Sequence, residues 1–322
     1  MGRYIIRRLL WVVLVMLVIT FLVFVIFYKL PPGDPAYRFA GKQPTPEIVN
    51  EVRRQFGLDK PFLVQYGTFV KKVFLGDEFG WPGLNKSFDS KRPIKDAIVS
   101  RLPITLQLSI GALIVWLLLG IPIGIISALR RGKAADRAAM TFALFGVSAP
   151  VFWLGLVFLF FFWKTLGIEA VGTGYVPFGE DPGRWLGHMI MPWIVLALLY
   201  AAFYARMVRG NLLETMGEDY IRTARAKGLS ERKVVMKHGL RASLTPVVTM
   251  VGLDFGTLLG GAIITESVFN ISGLGAYILE SVGSKDIPAI LGVTVFASLA
   301  ITIMSLVVDV IYAYLDPRVR YS

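Results

Sequence analysis

Six long apolar runs, near Leu9–Tyr28, Pro103–Leu129, Ala138–Trp163, His188–Val208, Leu244–Glu266 and Ile287–Tyr314, decide what this chain can fold into. A helix needs about 20 residues to cross about 30 Å of hydrocarbon, and each run is of that order. Lipid cannot hydrogen-bond a bare backbone, so only helices and closed barrels span it. Barrel strands alternate apolar and polar residues over about 10 positions, whereas these runs are continuous. The expectation is an all-α polytopic membrane protein with six transmembrane helices. A hydrophobic fraction of 55% and a mean hydropathy of +0.62 argue against a soluble fold. The first run follows Arg3, Arg7 and Arg8 and continues to Lys29, too long for a secretory signal core of about 7–15 residues, and no small-x-small cleavage site comes after it. Residues 1–29 therefore read as a retained anchor helix.

Six crossings return both termini to the same side, and basic residues crowd that side. They occur at Arg3, Arg7 and Arg8, at Arg130, Arg131, Lys133 and Arg137, and throughout the loop 211–241. Positive side chains resist translocation. Both termini are thus expected in the cytoplasm, in the cell (inner or plasma) membrane of a bacterium or archaeon. The net charge of +12 is then a signal of topology and of a lipid-bilayer environment. No nucleic-acid partner is expected, because no soluble basic domain is present to grip phosphates. The absence of cysteine excludes disulfides and thiolate metal sites, and with only His188 and His238 no metal site is expected.

Residues 30–101 read as a folded extracytoplasmic helical insert. Thr45-Pro46-Glu47 supplies a cap, a first-turn proline and an acidic first turn; Ile48, Val49, Val52 and Phe56 share a face, and Gly57 stops the pattern. Pro61 opens a second helix bearing Phe62, Tyr66, Phe69 and Val73, closed by Gly76. Both amphipathic helices need an apolar surface: each other, the tops of the spans, or a partner. The segment 102–318 is the main transmembrane domain. In it Gly252, Gly256 and Gly260 recur every four residues on one predicted helix face. That pattern serves ordinary close packing, or a face that moves or lines a passage. Asp254 beside them is the best passage or gate candidate, since a carboxylate at membrane depth faces protein or water; the alternative is a hydrogen bond to a neighbouring helix. Pro122, Pro150 and Pro192 are expected to kink their spans.

The segment Asn211–Arg241 is a charged loop with helical punctuation. Leu212–Lys227 reads as one helix with Leu213, Met216, Tyr220 and Ala224 on a stripe and Glu218 four residues before Arg222. Gly228 supplies a stop, Ser230 caps a second helix running to Lys237, and Thr245-Pro246 restarts the chain as a span. Periodicity alone equally allows a basic helix lying on the lipid surface.

The string Arg222-Thr223-Ala224-Arg225-Ala226-Lys227-Gly228 resembles the EAA loop of ABC-importer permeases. The resemblance extends through Leu30-Pro-Pro-Gly-Asp-Pro-Ala36, Gly57-Leu-Asp-Lys-Pro61, Arg101-Leu-Pro103, Ala128-Leu-Arg-Arg-Gly132 with Asp136-Arg137, Phe152-Trp-Leu-Gly155, Tyr220–Ser230 and Gly273-Leu-Gly275. Together they are similar to the B-type membrane subunit of dipeptide/oligopeptide permeases, the DppB/OppB family. The general EAA pattern has Glu where Arg222 stands and Leu-Pro where Leu240-Arg241 stands, and Gly80-Trp-Pro-Gly83 in the insert is less typical.

The resemblance implies a type I ABC importer permease fold, a MetI-like domain over 102–318, and a coupling loop over 211–241. It implies ATPase coupling through Glu214, Asp219, Tyr220, Arg222, Thr223, Ala224, Arg225, Ala226, Lys227, Gly228 and Leu229. Tyr220, Ala224 and Leu229 would supply packing, and Asp219, Arg222, Arg225 and Lys227 charge pairing. The implied partners are a second homologous (C-type) permease subunit, two cytoplasmic ABC ATPases and an extracytoplasmic solute-binding protein. The implied function is half of the translocation pathway of an ATP-driven importer of di- or oligopeptides. A non-peptide solute such as a nickel chelate, or glutathione, is the alternative, and a secondary transporter a more distant one. No G-x-x-x-x-G-K-[ST] string occurs, so no cofactor is expected on this chain, and ATP and Mg belong to the partner ATPases. No catalytic residue is expected.

Overall fold

A computed structural model describes residues 2–29, 33–40, 44–168 and 172–315. Leu30–Pro32 of the Leu30–Ala36 motif, residues 316–318 of the 102–318 domain, and the side chains of Arg3 and Phe56 lie outside the described residues. In chain order the helices are α1 (Gly2–Phe24), α2 (Pro35–Phe39), α3 (Pro46–Phe56), α4 (Phe62–Leu75), α5 (Ile94–Leu129), α6 (Ala134–Ser148), α7 (Val151–Phe158) and α8 (Pro182–Thr215). They continue with α9 (Asp219–Ala226), α10 (Glu231–Lys233), α11 (Leu240–Ser243), α12 (Thr245–Leu259), α13 (Ile263–Val268), α14 (Leu274–Ser284) and α15 (Ile287–Leu315). Wider π-helical turns extend α1 over Val25–Lys29 and α7 over Leu159–Thr165, and join α10 to α11 over Val234–Gly239.

Among the described residues four helices are long and apolar enough to cross a membrane: Ile6–Lys29, Ile94–Leu129, Pro182–Thr215 and Ile287–Val308. The count reaches six if two bent pairs each make one span, Ala134–Ser148 with Val151–Thr165 at 101° and Glu231–Ser243 with Thr245–Leu259 at 46°. The second span starts earlier than expected, at Ile94 rather than Pro103. The expected Ala138–Trp163 run is interrupted at Ala149, where Pro150 lacks the amide proton and restricts the residue before it. Pro122 and Pro192, by contrast, sit inside unbroken helices.

The run expected to reach Glu266 as one helix ends at Leu259, and this corrects the expectation for Gly260. Gly260 lies in the turn after α12, followed by Gly261 at φ +113°, a conformation open to glycine and strained for other residues.

The chain forms two compact units: Met1–Leu106, Gly256–Ser267 and Ser272–Leu306 make the first, and Gln107–Phe255, Val268–Ile271 and Val307–Ser322 the second. In the first, α3 and α4 form as the sequence predicts, and a short unexpected helix, α2, precedes them. Thr45 Oγ1 accepts from the Ile48 amide at 3.4 Å, and Gly57 closes α3 at φ 58°. Both helices rest on α1: Val49 and Val52 of α3 are buried with Phe24 and Tyr28, and Phe62, Tyr66 and Phe69 of α4 pack against that cluster. Tyr66 Oη donates to the Leu17 carbonyl at 2.9 Å, tying α4 to α1 where one α1 carbonyl is already shared with Thr20.

A second cluster joins Ile94 and Ile98 of α5 to Leu274 and Tyr277 of α14 and to Ala289 and Val293 of α15. Gly256 and Gly260 let α15 approach closely, since an added Cβ would lie 3.0 Å from Met304 Cβ and 2.9 Å from Ala297 Cβ respectively. Glu266 is fully buried, accepting from Thr105 Oγ1 and the Ala276 amide, both at 2.9 Å.

In the second unit α5, α6 and α8 pack through small residues. Cβ atoms added at Gly120 and Gly124 would meet the carbonyls of Ala201 and Ala205, and at Gly146 the Ala202 methyl. This is the close backbone approach that small residues give membrane helices. Trp116 stacks on Tyr200 with ring centres 4.5 Å apart.

Candidate functional site

The loop 211–241 is folded. Its expected single first helix is two: α8 ends at Thr215, the turn through Gly217 tightens to a Gly217–Glu214 hydrogen bond of 2.9 Å, and α9 begins at Asp219. That break shifts the helical register. Ile221, absent from the expected stripe, is fully buried with Ala224 and Val234, and Met216 and Leu229 pack around them. Tyr220, on the expected apolar stripe, is 46% exposed. Partial burial, aided by the Glu218 carboxylate, pushes the Tyr220 phenol up, so it remains a neutral hydrogen-bonding group.

Of the expected coupling residues, Glu214, Asp219, Tyr220, Arg222, Thr223, Arg225, Ala226, Lys227 and Gly228 are exposed, Leu229 is half-buried and Ala224 is buried within the loop's own cluster. Gly228 takes φ +75° in the turn between the two limbs, with no atom within 4 Å of an added Cβ. Its requirement is conformational rather than steric.

Two contacts differ from or add to the sequence reading. Arg222 pairs with Asp219 at 3.2 Å instead of with Glu218. Arg225 grips Glu231 through Nε at 3.1 Å and one terminal nitrogen at 2.7 Å, closing the loop across the Gly228 turn. The spacing of six residues fits no single-helix rule, so only the turn geometry reveals it. The loop's second limb returns to α8: an added Cβ at Gly239 would lie 2.9 Å from Met216 Sδ, and Asn211 Nδ2 donates to the Ser243 carbonyl at 3.2 Å.

Beneath the loop lies an ion pair that sequence reading missed. Asp136, in the first turn of α6, accepts from Arg209 Nε at 2.7 Å and a second Arg209 nitrogen at 2.9 Å. Ser127 Oγ at 2.5 Å and the Gly132 amide at 2.8 Å complete its shell. A bidentate guanidinium–carboxylate contact fixes both distance and orientation. The signal available beforehand was Asp136-Arg137 in the family-like motif, with no indication that Arg209 would answer it.

Asp254 accepts from Tyr204 Oη at 2.6 Å, the interhelical hydrogen bond weighed as the alternative to a gate. Gly252 is buried and belongs with Asp254 to the second unit, whereas Gly256 and Gly260 belong to the first. Among the described residues no group of three or more His, Cys, Asp or Glu side chains is arranged to hold a metal ion.

The chain thus joins long apolar helices to a charged, helical loop with a small apolar centre of its own. The chain belongs to the family described as binding-protein-dependent transport system inner membrane component, whose model matches residues 120–321, with the corresponding N-terminal model matching residues 1–109. It is 38% identical over 322 residues to a putative peptide transport system permease protein of Brucella abortus (strain 2308), covering 100% of both chains. It is 41% identical over 323 residues to the glutathione transport system permease protein GsiC of Salmonella choleraesuis (strain SC-B67), again over 100% of both.

Among solved structures, the inward-facing MetNI methionine ABC transporter matches with TM-score 0.56 and 20% identity, over 70% of this chain and 99% of that one. The fold is that of the type I ABC importer permeases. The chain is a multi-pass inner-membrane permease subunit of an ABC importer, working with other subunits of its assembly and not itself an enzyme.

Proposed function

We propose that this permease carries di- or oligopeptides inward, forming half of the passage with a second homologous subunit, while two cytoplasmic ATPases bind ATP and Mg and drive it through the loop 211–241. An extracytoplasmic binding protein delivers the solute above the insert 30–101, and both termini lie in the cytoplasm. The observation that carries this reading is the loop's construction. Ile221, Ala224 and Val234 give it an apolar centre of its own, and Arg225 and Glu231 close its turn. A stiff element transmits displacement that a flexible one would absorb.

Because Ala224 is turned into that centre, the docking contact falls to the exposed Tyr220, with Asp219, Arg222, Thr223, Arg225, Ala226 and Lys227 around it. Glu214 and Gly228 flank this surface, and Leu229 braces it from inside. Asp254 and Gly252 stay as passage or gate candidates, whereas Gly256 and Gly260 serve close packing on α15. A relative at 41% identity is named a glutathione transport system permease protein, which supports glutathione as a second reading of the solute, no more strongly than the first.

The test is solute-stimulated ATP hydrolysis by the reconstituted assembly. Tyr220→Ala is expected to lower stimulation roughly tenfold, the loss of one aromatic anchor at an interface, while the complex still inserts in the membrane. Unchanged stimulation would remove the docking role from this surface.

A further inference from the structure

In the second unit, α5 carries an exposed apolar stripe, Ile110, Ile114, Leu118, Ile126 and Leu129, along a stretch of sequence that holds no charged residue. At 1.5 Å per residue, Ile110 to Leu129 covers about 30 Å, the thickness of the hydrocarbon layer. The first charge after the stripe is Arg130, followed by Arg131, Lys133 and, in α6, Arg137. All four are exposed, and among the described residues none of their side chains makes a hydrogen bond or an ion pair. Four unpaired cations thus stand where the hydrocarbon ends and phospholipid headgroups begin.

The turn that carries them has a fixed shape. Gly132 takes φ +76°, the Arg130 carbonyl accepts from the Lys133 amide at 2.9 Å, and Asp136 accepts from the Gly132 amide at 2.8 Å. Asp136 is the one acid in the sequence between Ile126 and Thr141, and Arg209 occupies it through two nitrogens. It therefore neutralises Arg209 and leaves its four cationic neighbours uncompensated. Positive charge alone is enough to keep a loop on one side of a membrane. A folded turn adds something else: its cations lose less conformational freedom when they close on a ligand.

We propose that this turn binds the phosphate headgroup of an anionic phospholipid, with Arg130, Arg131, Lys133 and Arg137 around the phosphate and the acyl chains along the Ile126 and Leu129 end of the stripe. Guanidinium groups match phosphate oxygens in pairs, and uncompensated positive charge selects an anionic headgroup over a zwitterionic one. A free phosphate ion would use the cations but not the apolar stripe beside them. An acidic partner protein would need no apolar lane of bilayer length leading up to it. The inference concerns lipid alone and holds whichever solute the assembly carries.

The test uses the full chain assembled with cysteine-free partner subunits in lipid nanodiscs. Ile126→Cys gives this cysteine-free chain one attachment point for a bimane fluorophore. Phosphatidylglycerol or phosphatidylcholine with brominated acyl chains is titrated into a phosphatidylcholine background, and quenching is read. Brominated phosphatidylglycerol is expected to reach half-maximal quenching at a mole fraction about fivefold lower than brominated phosphatidylcholine, the effect of one cation at an anionic surface. Arg130→Gln with Arg131→Gln, at exposed side chains without partners, is expected to erase that difference. Arg184→Gln removes an exposed cation about 37 Å along α8 from Arg209 and is expected to leave it intact. An excess of inorganic phosphate in solution is expected not to displace the lipid. Equal quenching by both lipids, displacement by inorganic phosphate, a double variant that keeps the preference, or an Arg184→Gln variant that loses it overturns the proposal.

Discussion

Glu266 and Asp136 are both buried carboxylates, one in each compact unit, and they are satisfied by opposite means. Glu266 is held by neutral donors, the Thr105 hydroxyl and the Ala276 amide. Thr105 in turn receives the Leu274 amide at 2.9 Å, so one carboxylate ties α5, α13 and the start of α14 into a staple. Asp136 instead faces a full positive charge from α8, with a hydroxyl and an amide filling its remaining lone pairs. A staple of neutral donors holds backbone segments in place. A charge pair ties two particular helices, here α6 and the part of α8 that leads into the loop, in a single mutual orientation. The first unit thus uses its buried acid to fix a local turn, and the second uses its own to fix the base of the loop.

Four substitutions probe that contrast, and the largest effect is expected at Glu266. Glu266→Ala strips acceptors from several buried donors at once and is expected to cost about 3 kcal/mol or more, read as loss of folded protein in a detergent thermal-unfolding assay. A cost near zero would mean that the donors find other acceptors and that the staple is incidental. Thr105→Val removes one link and leaves the Leu274 amide unpaired, for an expected 1–3 kcal/mol, roughly.

Arg209→Lys keeps the charge beside Asp136 but loses the two-pronged grip. It is expected to lower the unfolding midpoint by a few degrees and to reduce solute-stimulated ATP hydrolysis more than basal hydrolysis. Equal reduction of the two rates would make the pair a plain stabiliser. Smallest of all is Glu231→Gln, because both partners of Arg225–Glu231 are largely solvent-exposed and such pairs contribute little. Its unfolding midpoint should match the parent within measurement error, and high salt should leave the parent unchanged too.

The same contrast explains what could be read beforehand. Of the insert, α3 and α4 were legible to the residue, because Thr45, Pro46, Gly57 and Gly76 are local signals acting on their own neighbours, whereas α2 and the early start of α5 went unread. The apolar runs were legible for the same reason; hydropathy is blind to direction, so the bend in the third run was signalled by Pro150 alone, and the stop at Leu259 was passed over. The buried acids were legible only as costs. Nothing near Asp136 points to Arg209, which lies 73 residues along the chain, and nothing near Thr105 points to Glu266, 161 residues away. In the loop, Gly228 was found by its own backbone requirement. Tyr220 and Ala224 share α9, but the buried side of that helix runs through Ile221 and Ala224, and with the helix restarting after Gly217 the stripe drawn from Leu213 and Met216 no longer marks it, leaving Tyr220 exposed at its edge.

The bend between α6 and α7 has a geometric consequence. At 1.5 Å per residue, the fifteen residues of α6 make a rod of about 22 Å, short of the roughly 30 Å of a bilayer interior. With α7 turned through 101°, that second limb cannot lengthen the rod along its own axis. The two limbs together cover the thickness of a bilayer only when both lie steeply tilted, so as a single span this stretch would present a slanting V rather than an upright rod.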